Sequence, residues 1–388
     1  MSGERTSAGG MPRADTSDPR SPWPVWPDGF AASREDREAV LVLSALRTIT
    51  PRSLIALASE VGSAAAVLAA LREGRAGSEG DRAIARSSDP ADLAGAVAAC
   101  GARTVVWGTR GYPPQLAEIP DPPAVLYLVG GAMPAAPNAV AIVGARRCTP
   151  LGRELTFAMG RELGLVGVTV VSGAARGIDS AAHEGALDVG GSTVAVLGSG
   201  VDIGYPNASR RLLERIRSTG TIVSEFAPGT PPLQRNFPAR NRIVAGLCAA
   251  TVVVEGARGS GSMITAEHAM EFGRDVYAVP GAVTNPLAHV PLQLVRDGAT
   301  MIRGPEDLVH DLGLEPVGGQ VTLRVQLDDG ERRILAQLRG PTLPDRAASA
   351  LGIGLPEAVR LLMRLELRGF VRNVGGRYES TLRAGASG

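Results

Sequence analysis

The chain of 388 residues carries 40 basic and 39 acidic side chains, 49 glycines, 28 prolines and 3 cysteines. Every basic residue is arginine, which excludes a Walker A phosphate loop, a Schiff-base lysine and a Ser-x-x-Lys acylase. The net charge of +1 means that any basic site is local. Cys100, Cys148 and Cys248 match no metal or redox spacing and read as reduced core residues of a cytoplasmic protein.

The length predicts two or three domains at roughly 150 residues each. Residues 1–30, rich in Ser, Pro, Gly and Arg, read as a disordered tail without the apolar stretch of a signal peptide. No apolar run approaches the roughly 18 residues of a membrane span, so no membrane is expected as a partner. Residues 31–100 predict a small helical domain. Val40, Leu41, Leu43 and Leu46, then Leu54, Ile55, Leu57 and Ala58, then Val67, Leu68 and Leu71 recur at helical spacing. Thr50-Pro51 reads as a helix N-cap followed by proline at the first helical position. Residues 101–137 form a proline-rich bridge (Tyr112-Pro113-Pro114, Asp121-Pro122-Pro123) with a short strand at Val125–Val129.

Over 138–312 the rhythm becomes strand, glycine turn, helix. Apolar runs lie at Ala139–Val143, Val168–Val171, Thr193–Leu197, Thr221–Val223, Thr251–Val254 and Val276–Val279. They are continuous rather than alternating, as in strands covered on both faces. With helical stretches at 152–165, 180–189, 207–218 and 262–273, they predict an α/β, Rossmann-like, doubly wound and mostly parallel sheet. A linker is expected over 313–328. Over 329–380, helical segments at 331–338, 344–350 and 356–368 precede two β segments between Phe370 and Tyr378 about Gly375-Gly376, which is the winged-helix plan. A short tail, 381–388, follows.

Ligands of an open parallel sheet bind outside the carboxyl ends of its strands. The turns expected there are Gly144–Pro150, Ser172–Asp179, Gly198–Pro206 and Glu255–Ser262, the last opening a helix. Their glycines let backbone N–H groups approach a phosphate, and a helix N-terminus adds partial positive charge. Arg146 and Arg258 supply forked guanidinium groups for clamping phosphates. The same glycines also fit plain tight turns. A dinucleotide cofactor is not expected. Gly198, Gly200 and Gly204 do not match the Gly-x-Gly-x-x-Gly spacing, and that motif belongs after the first strand. No Gly-x-Ser-x-Gly, His-Glu-x-x-His or Cys-x-x-Cys is present, so neither a metal nor a hydrolase site is expected.

The most informative segment is Gln234-Arg235-Asn236-Phe237-Pro238-Ala239-Arg240-Asn241-Arg242. An aromatic ring among arginines and asparagines is a stacking platform beside phosphate clamps, the composition of a single-strand nucleic-acid site. It equally fits a solvated basic loop with Phe237 tucked into the core. His183, one helical turn after Asp179, reads as packed behind the rim, with Asp179 capping the helix. Glu225 and Glu255 read as pocket-shaping groups paired with arginines. The alternation of Arg360, Arg364 and Arg368 with Glu357 and Glu366 reads as a solvated helix face.

These segments resemble the DprA (Smf) family of bacterial DNA-processing proteins over roughly residues 35–380. Six motifs fall in family order: Ala-Ile-Val-Gly-Ala-Arg-Arg from Ala141; Val-Ser-Gly-Ala-Ala-Arg-Gly-Ile-Asp-Ser-Ala-Ala-His ending at His183; Val-Leu-Gly-Ser-Gly-Val-Asp and Tyr-Pro from Val196 to Pro206; Phe-Pro-Ala-Arg-Asn-Arg-Ile-Val-Ala-Gly-Leu from Phe237; Gly-Ser-Gly-Ser-Met-Ile-Thr-Ala from Gly259; and Gly-Arg-Asp-Val-Tyr-Ala-Val-Pro-Gly from Gly273. The resemblance implies a protein without catalytic activity or cofactor. Such a protein binds single-stranded DNA, protects incoming DNA and loads RecA recombinase during natural transformation, as a homodimer. It implies DNA contacts at Arg146, Ser172, Gly173, Phe237, Arg240, Arg258, Gly259, Ser260, Gly261 and Ser262. It makes residues 31–100 a SAM or helix-hairpin-like accessory and the winged helix a second one. Two stretches depart from the family pattern. One is Ala288–Ala299, where dimer and recombinase contacts are expected; the other is Arg47–Pro51, where a hairpin turn normally reads Gly-Ile-Gly-Pro. The competing reading is a nucleotide-binding or nucleotide-cleaving enzyme of phosphoribohydrolase type, against which Ala257–Ser262 lacks the Pro-Gly-Gly-x-Gly-Thr of those enzymes.

Overall fold

The apolar runs between 139 and 279 all become strands of one sheet. The computed structural model describes residues 25–134, 138–314, 329–338, 340–367 and 371–380, which divide into two units at Thr322/Leu323. The expected linker at 313–328 and tail at 381–388, with Arg368 and Phe370, lie wholly or largely outside the described residues, as does the tail up to residue 24.

The first unit opens with helices α1 (Arg34–Ser44), α2 (Pro51–Val61), α3 (Ala64–Arg72), α4 (Glu79–Ser87) and α5 (Pro90–Ala99). Each starts at a side chain that accepts a backbone N–H: Ser33, Thr50, Ser63, Ser78 and Asp89 in turn. Thr50-Pro51 is thus the N-cap and first helical residue that the sequence predicts. Between α1 and α2, the carboxylate of buried Asp81 accepts the N–H groups of Arg47 and Thr48 at 3.0 and 3.1 Å. Residues 25–30 correct the expectation of a tail reaching residue 30. Trp26 and Phe30 are buried with ring centroids 4.2 Å apart, and the Trp26 indole donates to the Pro122 carbonyl at 3.0 Å. Two large aromatic surfaces are worth more inside the core than in a solvated tail.

Then follow β1 (Arg103–Val106), α6 (Pro114–Ala117), β2 (Val125–Gly130), β3 (Ala139–Val143), α7 (Pro150–Leu165), β4 (Thr169–Ser172), α8 (Ile178–Asp188) and β5 (Thr193–Val196). After these come α9 (Arg210–Thr219), β6 (Thr221–Ser224), α10 (Asn236–Gly246), β7 (Ala250–Val253), α11 (Gly261–Glu271), β8 (Asp275–Ala278), α12 (His289–Arg296), β9 (Thr300–Met301) and α13 (Pro305–Asp311). The strands lie in the order β1-β2-β6-β5-β4-β3-β7-β8-β9. From β6 to β9 every pairing is parallel, while β1 and β2 extend the edge antiparallel.

This is a Rossmann-like doubly wound α/β sheet. The strand order leaves β3 toward β4, β5 and β6 on one side and toward β7, β8 and β9 on the other. The reversal opens a crevice above the carboxyl ends of β3 and β7, where such folds bind ligands. Strands β3, β4, β5, β6 and β7 are buried at every position. The helices before residue 100 share an apolar core with β2 and with Leu197, Ile216 and Ile222.

The second unit contains α14 (Asp329–Gln337), α15 (Pro344–Leu351), α16 (Leu355–Leu367) and the antiparallel hairpin β10 (Val371–Val374) and β11 (Arg377–Ser380). Ile334, Leu362, Leu365, Val371 and Tyr378 form its core. Thr342 and Tyr378 exchange backbone hydrogen bonds of 2.8 Å each way.

Candidate nucleic-acid interface

The crevice has two lobes. The larger, about 500 Å³, runs from the ends of β3 and β4 to the start of α11. The smaller, about 270 Å³, lies above the end of β5. Arg146, Gly173, Ala175, Tyr205, Phe237 and Arg240 line both. Together the two lobes are lined by three arginines, Arg146, Arg176 and Arg240, and by one carboxylate, Asp179, so a chain of net charge +1 holds a basic groove.

Two loops are tied together at the rim. Gly177 adopts φ +80°, and the following Ile178 N–H donates to the Ala145 carbonyl at 3.2 Å. This joins the β4–α8 turn to the β3–α7 loop that carries exposed Arg146. The β3–α7 loop is also held from below, where the Glu255 carboxylate accepts the Thr149 N–H at 2.9 Å and its hydroxyl at 2.6 Å. Opposite, Ser260 caps α11, and Ser260, Gly261 and Ser262 line the larger lobe. With Ser260 already accepting the Ser262 N–H, the N-terminus of that helix offers chiefly its partial positive charge to an anion.

Arg240, on the second turn of α10, is buried at the junction of the lobes. Its Nη1 donates to the Val196 carbonyl, and its Nε donates to Asn241 Oδ1 at 3.1 Å. Asn241 in turn donates to the Gly261 carbonyl at 3.1 Å, so the arginine is locked to the start of α11. Asp179 Oδ2 accepts the N–H groups of Gly173 and Ala175 at 3.2 and 3.3 Å, which shapes the β4–α8 turn around Ala174, a non-glycine residue at φ +53°. Burial raises the Asp179 pKa, opposed by the charge of Arg240. Burial likewise lowers that of Arg240, opposed by Asp179 and reinforced by Arg146.

The aromatic part of the groove is a cluster. Phe237 and Tyr205 pack with centroids 5.6 Å apart and planes tilted by 31°. The Arg146 guanidinium stands over the Phe237 ring, 5.5 Å from its centroid, a cation–π arrangement.

Residues 103–313 match the family described as DNA recombination-mediator protein A. The Smf protein of Escherichia coli is 37% identical over 283 residues, covering 70% of this chain and 76% of that protein. The chain belongs to this DprA/Smf family. The Smf protein of Synechocystis is 43% identical over 242 residues, which span 60% of this chain and 60% of that protein. The crystal structure of DNA processing protein A from Streptococcus pneumoniae superposes with a TM-score of 0.62 at 32% identity, covering 72% of this chain and 98% of that one.

Of the contacts that the family resemblance implies, Arg146, Gly173, Phe237, Arg240, Ser260, Gly261 and Ser262 converge on the crevice. Ser172 lies beneath it, fully buried, with its hydroxyl donated to the Ile142 carbonyl at 2.7 Å. Arg258 and Gly259 are exposed on the turn before α11, outside the lining of both lobes. Phe237 is half-buried, between the alternatives of open platform and core residue. Asp179, Tyr205 and Asn241 belong to the site as well. Their sequence signal was membership of the rim turns and of the 234–242 segment, without any sign of who would touch whom.

Other charged groups have different work. Arg242 makes a forked pair with Glu225 at 2.7 and 2.6 Å and reaches Asp121 at 3.3 Å, all buried or nearly so. It fastens α10 to the proline-rich bridge. Glu255 departs from the expectation of an arginine partner, because Thr149 takes both of its oxygens. Asp179 and His183 do not pair. His183 Nδ1 meets Thr193 Oγ1 at 2.6 Å, and that hydroxyl donates to the Val170 carbonyl, so the imidazole is the neutral Nδ1–H form. Burial, with Arg240 nearby, pushes its pKa down to about 3. Asp179 is not the N-cap of α8 either; Gly177 stands there. Among the described residues no group of three His, Cys, Asp or Glu side chains is arranged to hold a metal, and no single helix is long and apolar enough to cross a membrane.

Proposed function

We propose that this family member binds single-stranded DNA along the two-lobed crevice and acts in DNA processing during transformation. What carries the reading is the convergence of Arg146, Phe237, Arg240 and the α11 N-terminus on one groove. Guanidinium groups and the positive end of a helix suit phosphates, and aromatic rings suit unpaired bases. Bound strands are protected there and passed to RecA recombinase, with the protein acting in the cytoplasm as a homodimer. The order of elements in the second unit supports a winged-helix accessory.

A mobility shift with a single-stranded oligonucleotide, with and without RecA, run beside sedimentation velocity, tests this. Expected are a shift favouring single strands over duplex, a further complex with RecA, and a dimer. Base release from nucleoside monophosphates without single-strand affinity would instead establish the nucleotide-cleaving enzyme. Glu225 and Glu255, held by Arg242 and Thr149 and outside the lining of both lobes, speak against it.

A further inference from the structure

Strand β1 ends the nine-stranded sheet and pairs only with β2. Across that pairing Trp107, the residue after β1, donates its N–H to the Ala124 carbonyl at 2.9 Å. Backbone groups along an antiparallel strand alternate in direction, so Thr104 and Val106 point theirs away from β2. The Val106 carbonyl is taken by the Thr109 N–H and hydroxyl, at 3.1 and 2.6 Å. The Thr104 N–H and carbonyl and the Val106 N–H have no neighbouring strand among the described residues. An open edge of this kind is a template for another extended chain.

A groove of about 490 Å³ lies along this edge, between β1 and α1. Buried Leu41 and Val106 give it an apolar floor, beside Thr104 and Thr109. Its charged lining is Arg34, Arg37 and Arg110 against Glu38. Glu38 accepts the Arg34 Nε at 2.8 Å, and Arg37 Nη1 donates to the Ala31 and Ala32 carbonyls at 3.3 and 2.7 Å. Arg110, exposed on the turn after β1, makes no hydrogen bond or ion pair among the described residues.

We propose that this groove docks an acidic, extended segment of a partner protein, which joins the sheet as a strand beside β1. Main-chain hydrogen bonds to Thr104 and Val106 hold it, and alternate apolar side chains cover the floor. Its carboxylates meet Arg34, Arg37 and Arg110. Pairing β1 with the same strand of a second copy sets like charges face to face, which disfavours self-association here. No aromatic side chain lines the groove, so unpaired bases have nothing to stack on. The groove shares no lining residue with the crevice, and the proposal does not depend on the single-strand reading.

The test is fluorescence anisotropy of the full chain with a labelled octapeptide alternating aspartate and valine. Expected is saturable binding that weakens about tenfold in Arg34→Glu/Arg110→Glu, where two exposed ion pairs turn repulsive. The counterpart peptide with lysine in place of aspartate should not bind. Methylating the backbone nitrogens of alternate residues should abolish binding in one of the two patterns and spare it in the other, because only one set of N–H groups faces β1. No binding of the acidic peptide, equal binding of the lysine peptide, or an equal effect of both methylation patterns would overturn the proposal. Displacement of the peptide by oligo-dT would make the groove a nucleic-acid surface. Self-association in sedimentation that the double variant abolishes would give the groove to a second copy, and either result also overturns the proposal. Should the double variant not fold, the two methylated peptides still decide.

Discussion

The guanidinium of Arg240 lies against the α-carbon of Gly173, in space that a β-carbon on Gly173 would overlap. The two residues come from different layers, one from the turn after β4 and one from α10. Only a glycine lets the arginine reach the Val196 carbonyl and stay in the crevice.

Gly173→Ala should therefore fold, because the clash falls on the flexible end of a side chain, but with Arg240 displaced. Single-strand affinity should drop by about 1.5–3 kcal/mol, the worth of a hydrogen bond to a charged group. Combining it with Arg240→Ala should cost no more than Arg240→Ala alone. Additive losses in that double-mutant cycle would show that the two positions act separately.

Arg240→Ala should also flatten the dependence of log affinity on log salt by about 0.7, the slope of one phosphate on a single strand. The arginine is buried and already bonded to protein through Nη1 and Nε, so an unchanged slope would assign it a purely structural role. Titrations at several salt concentrations measure this.

Much of this was legible in the sequence. Continuous apolar runs from Ala139 to Val279 gave the parallel strands because both faces of the sheet are covered. The strand-end rule then brought the glycine turns to one rim. Strand β1 was not legible: only one of its four positions is buried, and its pairing partner, β2, fixes it. Strand β9 is two residues long, and α12 carries Pro291 in its first turn, where proline is tolerated but weakens a helical pattern. Within the site, composition named Phe237 and Arg240 but could not say that Arg146 covers the first, or that the second is buried. Nor could it tell Arg242, bound to Glu225, from Arg240, two residues earlier. Such distinctions depend on which neighbours the tertiary fold supplies.

Arg242→Ala leaves Glu225 and Asp121 without their shared cation in a buried setting. Burial already raises the Asp121 pKa against the opposing charge of Arg242. Stability should fall by about 3–5 kcal/mol, as for other buried pairs that lose one partner. Urea denaturation reads this directly, and a loss below 1 kcal/mol would mean that water reaches the carboxylates.

His183 makes a statement about acid. Its folded-state pKa, about 3, lies below the ordinary imidazole value of 6.5, so the unfolded chain takes up a proton before the folded one does. Its contribution to stability is complete above 6.5 and is lost as pH falls toward 3, at up to about 1.4 kcal/mol per pH unit. His183→Gln, which does not titrate, should show a shallower fall between pH 7 and 4.5 than the wild type. Parallel profiles in denaturant would place the acid sensitivity elsewhere.

The central claim is a single-strand groove formed by Arg146, Phe237 and Arg240, and equilibrium binding of matched single-stranded and duplex oligonucleotides to the unaltered chain and to Arg146→Ala/Phe237→Ala tests it most directly. The account predicts tight, salt-sensitive binding of the single strand, weak binding of the duplex, and loss of the preference in the double variant with its fold retained. Equal affinity for both forms, or a double variant that binds the single strand like the wild type, would contradict it.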